Sequence, residues 1–184
     1  MPGRDAYTQP AAQFARGLYH DRNRRLAERV VASGPERVFE FAAGSYDLAR
    51  LILDAEPGIE TYRWSDFAPR CIAESREVLA AYPACTVEDL DIDADYAGVD
   101  WAIYDTVISV SLEHLACDRE ILAAIEPGTR IFLCLPAFDA PTHLRWFATE
   151  LRIRRRYADL IAIHGVEAFR AGGLCKFLVT AYRP

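Results

Sequence analysis

Short apolar strands alternate with amphipathic helices from about residue 22 to the end of the chain, and no other feature restricts the fold as much. A strand that is apolar along its length needs cover on both faces, and helices in the short connections supply it. Residues 22–32 carry Leu26, Val30 and Val31 on one helical face, and Ser33-Gly34-Pro35 stops that helix. Arg37-Val38-Phe39-Glu40-Phe41 reads as a buried strand and Ala42-Ala43-Gly44-Ser45 as a small-residue turn. A helix then runs through Leu48, Leu51 and Ile52 to Pro57-Gly58. The unit repeats, with a strand at 61–64, a helix at 69–81 that opens on proline and buries Ile72, Ser75 and Leu79, and a strand at 85–90. A fourth strand spans 105–109, Asp118 is suited to cap the helix through Leu122 and Ile125, and Pro127-Gly128 turns into a fifth strand at 130–135. After a helix at 147–160, strands at 161–168 and 176–182 follow each other through a turn near Gly172-Gly173, which predicts an antiparallel hairpin at one sheet edge. The expected fold is a doubly wound, mostly parallel seven-stranded α/β sheet ending in that hairpin.

The 184 residues suffice for one domain with a full core, and no repeat, linker or low-complexity segment divides them. No apolar run reaches the roughly 18 residues of a membrane span, and Met1-Pro2-Gly3-Arg4-Asp5 leads into no secretory signal. Cysteines 71, 85, 117, 134 and 175 are odd in number and never spaced Cys-x-x-Cys, which predicts reduced thiols and no disulfide framework. Together these features predict a cytoplasmic protein without membrane association. The net charge of −6 gives the whole molecule no attraction to nucleic acid, and Lys176 is the single lysine.

In open parallel sheets ligands bind beyond the carboxyl ends of the strands, so the first strand-to-helix turn is the prime candidate site. Glu40-Phe41-Ala42-Ala43-Gly44-Ser45-Tyr46-Asp47 occupies it. Its small residues allow a ligand close to the backbone, and the helix that follows offers N–H groups. Neither the G-x-G-x-x-G dinucleotide fingerprint nor a G-x-x-x-x-G-K-[ST] loop is present. Glu40 at the strand's end repels a pyrophosphate and suits a cationic ligand, such as a sulfonium with an amino-acid end.

Glu40, Ala42, Gly44 and Tyr46 stand at the places of the acidic residue and three alternate glycines of a known first motif. In this the chain resembles the class I S-adenosylmethionine-dependent methyltransferases, especially the small-molecule group related to ubiquinone-biosynthesis enzymes (methyltransferase types 11 and 12). Ala42 is a mild departure from that motif and Tyr46 a larger one. The resemblance continues through Tyr62-Arg63-Trp64-Ser65-Asp66-Phe67-Ala68-Pro69, where Asp66 takes the role of the ribose-binding acid with Phe67 beside it. Val87-Glu88-Asp89-Leu90-Asp91-Ile92-Asp93 supplies an adenine-binding acid, Asp91 with Ile92 or else Asp89 with Leu90. Tyr104-Asp105-Thr106-Val107-Ile108-Ser109-Val110-Ser111-Leu112-Glu113-His114-Leu115 resembles the family's "F-D-x-V…LEH" segment, and Ile125-Glu126-Pro127-Gly128-Thr129 its turn before strand five. The match covers about residues 37–136 in order. It implies a Rossmann-like fold, S-adenosylmethionine as cofactor with S-adenosylhomocysteine as product, and a small-molecule acceptor methylated at O or N. Ser109 falls at the cofactor, and the acceptor would lie against the N-terminal segment, residues 109–115 and residues 136–147. Within a single domain of 1–184, residues 1–21 form a lid or arm (Tyr7, Phe14, Tyr19 and His20 among them), 22–136 the cofactor core, and 137–184 the last helix and hairpin. A homodimer is one assembly compatible with the sequence, which does not fix the oligomeric state. Two other readings share the architecture: a non-catalytic methyltransferase-like domain serving a partner protein, motivated by the altered glycines, and an NAD-dependent enzyme, disfavoured by the missing fingerprint.

His114 lies just past strand four, where a near-neutral side chain can act as general base on an acceptor. His143, with Arg145, follows strand five at the same edge and is the second catalytic candidate; the segment could equally bind an acidic acceptor or anchor the last helix. His20, His114, His143 and His164 make no H-x-x-x-H or H-x-H pair, so local spacing predicts no metal. The acids between 88 and 100 fit no register of a calcium loop. Arg152, Arg154, Arg155 and Arg156 read as a solvated helix face with local ion pairs.

Overall fold

The computed structural model describes residues 19–171 and 174–184. Tyr7 and Phe14, and the turn at Gly172-Gly173, lie outside them. One seven-stranded sheet organises the chain. Its elements are α1 (His20–Ala32), β1 (Arg37–Phe41), α2 (Asp47–Ala55), β2 (Thr61–Asp66), α3 (Pro69–Leu79), β3 (Cys85–Asp89), the short α4 (Ile92–Asp95), β4 (Thr106–Ser109), α5 (Asp118–Ala124), β5 (Arg130–Pro136), α6 (Glu150–Tyr157), β6 (Ala162–Ala171) and β7 (Leu174–Tyr182). The strand order is β3-β2-β1-β4-β5-β7-β6. β1 to β5 run parallel, while β7 is antiparallel to both β5 and β6. The expected doubly wound sheet with a C-terminal hairpin is the observed one.

The alternation of side chains along β1 divides the interior into two cores. Phe39 and Phe41 face a core with Trp101, Val107, Leu133 and Tyr157. Val38, one residue out of phase, faces the opposite core with Leu26, Ile52, Tyr62, Trp64 and Ile108. Glu40 shares Val38's parity, so a carboxylate is carried into an otherwise apolar layer.

Several boundaries differ from expectation for identifiable reasons. The last helix begins at Glu150 rather than 147 because the Phe147 N–H bonds the Pro136 carbonyl (3.0 Å), which holds that residue against β5 in a loop. Asp118 caps nothing: the position before α5 is Cys117, and no side chain caps it. Asp118 is buried and instead accepts bonds from both Arg156 (2.7 and 2.8 Å) and Tyr157 (2.6 Å), tying α6 to α5. Asp105 precedes β4 and accepts the Glu36 and Arg37 N–H groups while pairing with Arg130. Between α4 and β4, two short 3₁₀ turns (Tyr96–Gly98 and Trp101–Ile103) carry Trp101 onto Phe39 and Phe41. His164 stacks on Tyr182 at the hairpin bulge, away from the parallel strands' carboxyl ends. No helix among the described residues is long and apolar enough to cross a membrane.

Candidate functional site

β1 and β4 are neighbours, and from them the chain winds outward in opposite directions, to β2 and β3 on one side and to β5 on the other. The crevice beyond their carboxyl ends is the switch point of the sheet. The turn after β1 opens onto it with two residues of positive φ, Ala42 at 49° and Gly44 at 70°. An added Cβ on Gly44 would meet nothing within 4 Å, so the backbone there faces open space. Asp66, at the end of β2, fixes the turn: its carboxylate accepts the Gly44 N–H (2.8 Å) and the Ala68 N–H (2.8 Å). The Phe67 N–H is a third backbone donor to this carboxylate. A carboxylate has about four acceptor positions, so three amides leave capacity for one hydroxyl donor. Burial pushes the Asp66 carboxyl up, and its backbone bonds oppose that. Tyr46 is right-handed (φ −73°) and packs against the core, so position 46 needs no glycine. The demanding position is 42, where alanine occupies a left-handed conformation that costs a non-glycine residue about 1 kcal/mol. Ala42 is therefore the strained departure and Tyr46 the tolerated one.

Glu40 is 0% exposed. Tyr62 donates to its Oε2 (2.6 Å), while Oε1 has no hydrogen-bond partner among the described residues. Burial pushes the Glu40 carboxyl up to about 8, against the opposing effects of Tyr62 and Arg22. Phe67 is half-buried beside Asp66, and Ser109, at the end of β4, is buried opposite Phe41 in the β1–β4 register. Asp89 is exposed and level with Asp66 in the β2–β3 register. The Leu90 N–H bonds the Asp66 carbonyl (3.1 Å). Asp91 is half-buried before α4, and Ile92 is 2% exposed inside the core.

The other side of the crevice is built from β4, β5, β7 and α1. Glu113 and His114 lie in a 3₁₀ turn (Leu112–His114) after β4, and His143 lies in the loop after β5. The two rings are 5.0 Å apart and inclined at 69°. His114 Nδ1 is 2.8 Å from the Thr142 carbonyl and His143 Nδ1 3.2 Å from the Phe138 carbonyl. A carbonyl only accepts, so each Nδ1 carries the hydrogen, and the lone pair of an unprotonated ring lies on Nε2. Both Nε2 atoms approach one oxygen, Glu113 Oε1, at 3.7 and 3.8 Å. Glu113 is 3% exposed, and its Oε2 has no hydrogen-bond partner among the described residues. Burial raises the Glu113 carboxyl; burial and the neighbouring His114 lower the His143 imidazole.

Two cations complete this region. Lys176, from β7, is buried, and its ammonium lies 5.3 Å from the Tyr19 ring and 5.5 Å from the Phe138 ring. Burial lowers its pKa. Arg22, on α1, stacks on Tyr19 at 4.3 Å, and its charge acts on both Glu40 and Glu113. Arg145 serves as an anchor: it donates to the Leu112 (3.2 Å) and Leu115 carbonyls and pairs with Asp118 at 3.3 Å. The arginines of α6 are partly as expected. Arg154 pairs with Glu150, but Arg156 is committed to buried Asp118, while Arg152, Arg155, Arg119 and Trp146 line a surface hollow of about 490 Å³.

The structure thus brings Glu40, Ala42, Gly44, Asp66 and Ser109 to the switch point and sets His114 against His143. Sequence patterns did not single out Glu113, Arg22 or Lys176 for a role. The one available signal was a lone lysine in an apolar strand, together with the acid inside the Leu112-Glu113-His114 run.

No protein-family model matches the chain, and no curated protein matches it. Solved structures do. The N-methyltransferase NodS from Bradyrhizobium japonicum WM9, in complex with S-adenosyl-L-homocysteine, superposes with a TM-score of 0.72 at 14% identity, covering 94% of this chain and 91% of that one. An O-methyltransferase family protein from Burkholderia thailandensis gives 0.69 at 15% identity, covering 98% of this chain and 59% of the other. The CurJ carbon methyltransferase gives 0.70 at 14% identity, covering 98% and 57%. The chain therefore spans less than two thirds of the last two. Their common feature is the fold, which this chain shares.

Proposed function

We propose that the chain is an S-adenosylmethionine-dependent methyltransferase acting on a small-molecule acceptor. The observation that carries this reading is the turn at the switch point: Gly44 facing open space, Asp66 bonded to its N–H, and the buried Glu40 with one carboxylate oxygen unpartnered. The bound complex reported for NodS gives the fold a precedent for this cofactor. The cofactor supplies an electrophilic methyl group on a sulfonium. Glu40 offers its Oε1 to the ammonium of the methionine end, the remaining acceptor position of Asp66 takes a ribose hydroxyl, and Phe67 and Ser109 line the same pocket. Because Ile92 is packed in the core, we assign the adenine edge to Asp89 and Leu90, with Asp91 beside them. The work of the site is to hold donor and acceptor in line, a gain of up to ~7–11 kcal/mol for well-oriented groups. On the acceptor side, His143 or His114 receives the acceptor's proton at Nε2, its Nδ1–H fixed by a carbonyl. Oxygen, nitrogen and carbon enzymes all use this fold, and we favour an O or N acceptor because histidine serves as the base. A cytoplasmic homodimer belongs to the same reading, and sedimentation gives the mass that tests the dimer.

Calorimetric titration tests the central assignment. Both S-adenosylmethionine and S-adenosylhomocysteine are expected to bind with micromolar affinity. Asp66→Ala should weaken this at least about tenfold, since hydrogen bonds to a charged group contribute ~1.5–3 kcal/mol. Absence of binding at millimolar ligand would remove the proposal and leave the non-catalytic, partner-binding reading.

A further inference from the structure

We infer that Glu113, His114 and His143 form a divalent-cation site on the acceptor side of the pocket. Ligand atoms of the three residues lie within 4.8 Å of one another, although no local spacing in the sequence pairs them. The Glu113 Oε1 distances of 3.7 and 3.8 Å to the two Nε2 atoms are too long for hydrogen bonds. They are close to the ~3.4 Å that separates two donors on one tetrahedral ion with bonds of ~2.1 Å.

The tautomers point the same way. With each Nδ1–H held by a backbone carbonyl (Thr142 for one ring, Phe138 for the other), the lone pair of each ring, when it is not protonated, lies on the Nε2 that faces one carboxylate oxygen. Three electron-rich atoms converging on one point repel each other unless something positive sits among them. An Nδ1–H tied to a carbonyl is also the usual support of a metal-bound histidine. The second oxygen, Glu113 Oε2, is buried without a hydrogen-bond partner among the described residues. Lys176 and Arg22 exert an electrostatic pull on this carboxylate, but no hydrogen bond from either is made to Oε2.

Two histidines and one carboxylate, with no sulfur, suit a first-row divalent ion such as zinc, cobalt or manganese and leave coordination positions open. Resting on the proposed methyltransferase reading, the site names the acceptor class: a molecule whose hydroxyl can join the ion. There the O–H bond breaks with its electron pair kept by oxygen, and the proton passes to solvent because the cation lowers the hydroxyl's pKa. In the loaded protein the histidines then hold the ion in place of taking the proton.

Titration of the full chain with Co²⁺, followed by visible absorption, tests the site without any acceptor. One equivalent is expected to bind at micromolar concentration, giving a nitrogen–oxygen ligand-field spectrum and a higher melting temperature. Glu113→Gln and His143→Ala should each weaken binding at least about tenfold. No saturable binding at millimolar Co²⁺, a thiolate charge-transfer band showing that cysteine is the ligand, or wild-type affinity in both variants would overturn it. S-adenosylhomocysteine titrated into chelator-treated protein separates the two claims. Binding there without any Co²⁺ site sinks the cation site alone, and Co²⁺ binding without nucleoside binding sinks the cofactor assignment alone.

Discussion

The turn after β1 and the histidine pair lie at the same edge of one sheet, yet they are held in different ways. The turn after β1 is mostly backbone: two residues of positive φ, a glycine facing open space, and Asp66 gripping the Gly44 and Ala68 amides. The region of the histidine pair is mostly side chain: two imidazoles, Glu113, Arg22 and Lys176, drawn from four separate elements. A backbone-built site fixes geometry and tolerates changes of side chain, provided the φ angles are respected. A site of convergent, buried, titratable groups fixes chemistry instead, and each member's charge depends on the others. Substitutions should therefore act mainly on affinity and stability at the first and on reactivity at the second.

The largest expected effect falls on the acceptor side. In chelator-treated protein, where no cation occupies the imidazoles, His143→Ala should lower methyl transfer by ~10²–10⁴-fold, the usual contribution of a general base. It should be measured with labelled S-adenosylmethionine on any hydroxylated small molecule that the wild-type protein methylates. His143 titrates below its ordinary value of 6.5, so the neutral ring persists above that pH and wild-type rate falls as pH drops through the lowered pKa. The variant's profile should lose that acidic limb. Unchanged turnover at every pH would break the contrast by making the acceptor side structural.

Glu40→Gln comes next, because Glu40 is buried on the backbone-built side with an oxygen that has no partner among the described residues. Its carboxyl is raised from 4.5 to about 8 in the folded protein. Between those values the native state binds a proton that the unfolded chain has released, so native stability falls as pH rises through the window. A neutral glutamine should flatten this dependence and leave the variant more stable than wild type at about pH 9 by up to a few kcal/mol, at ~1.4 kcal/mol per pKa unit. Cofactor affinity should fall by about 10–100-fold, the loss of a charge-assisted bond of ~1.5–3 kcal/mol. Urea unfolding at two pH values, with calorimetry, reads both effects. A variant that gains stability and keeps full affinity would detach Glu40 from the ligand.

The smallest effect sharpens the backbone argument. Ala42→Gly relieves a left-handed alanine (~1 kcal/mol) at the cost of added chain entropy (~0.5–1 kcal/mol), so stability should stay level or rise by less than ~1 kcal/mol. Tyr46→Gly, at a right-handed position packed on the core, should destabilise by at least ~1 kcal/mol. If the two glycines had equal effects, φ at these positions would not be what distinguishes them.

The turn after β1 was legible in the sequence because its parts are local. A strand, a small-residue turn and an acid at the next strand's end lie between Glu40 and Asp66, and period-2 patterning places them without knowledge of the whole sheet. What stayed hidden there was conformational. The letters at 42 and 46 suggested that tyrosine was the greater departure, whereas the φ angles make alanine the strained one. Asp118 was misread for a related reason: its position before an apolar helix is a capping signal, but α6 arrives with Arg156 and Tyr157 and takes the carboxylate for itself.

The sequence by itself determined the order of strands and helices, the hairpin at the end, and the Glu40, Gly44 and Asp66 framework, since hydrophobic period and turn chemistry act within a few residues. Only the tertiary structure decided that His114 faces His143 over Glu113, with Arg22 and Lys176 close by. β4 and β5 are parallel neighbours in register from Thr106 opposite Arg130 to Ser109 opposite Leu133, so their following loops emerge side by side. β7 then enters antiparallel beside β5 and sets Lys176 opposite Pro136. Strand order and register are properties of the packed sheet, formed by contacts far apart in the chain, and no local spacing of histidines could reveal them.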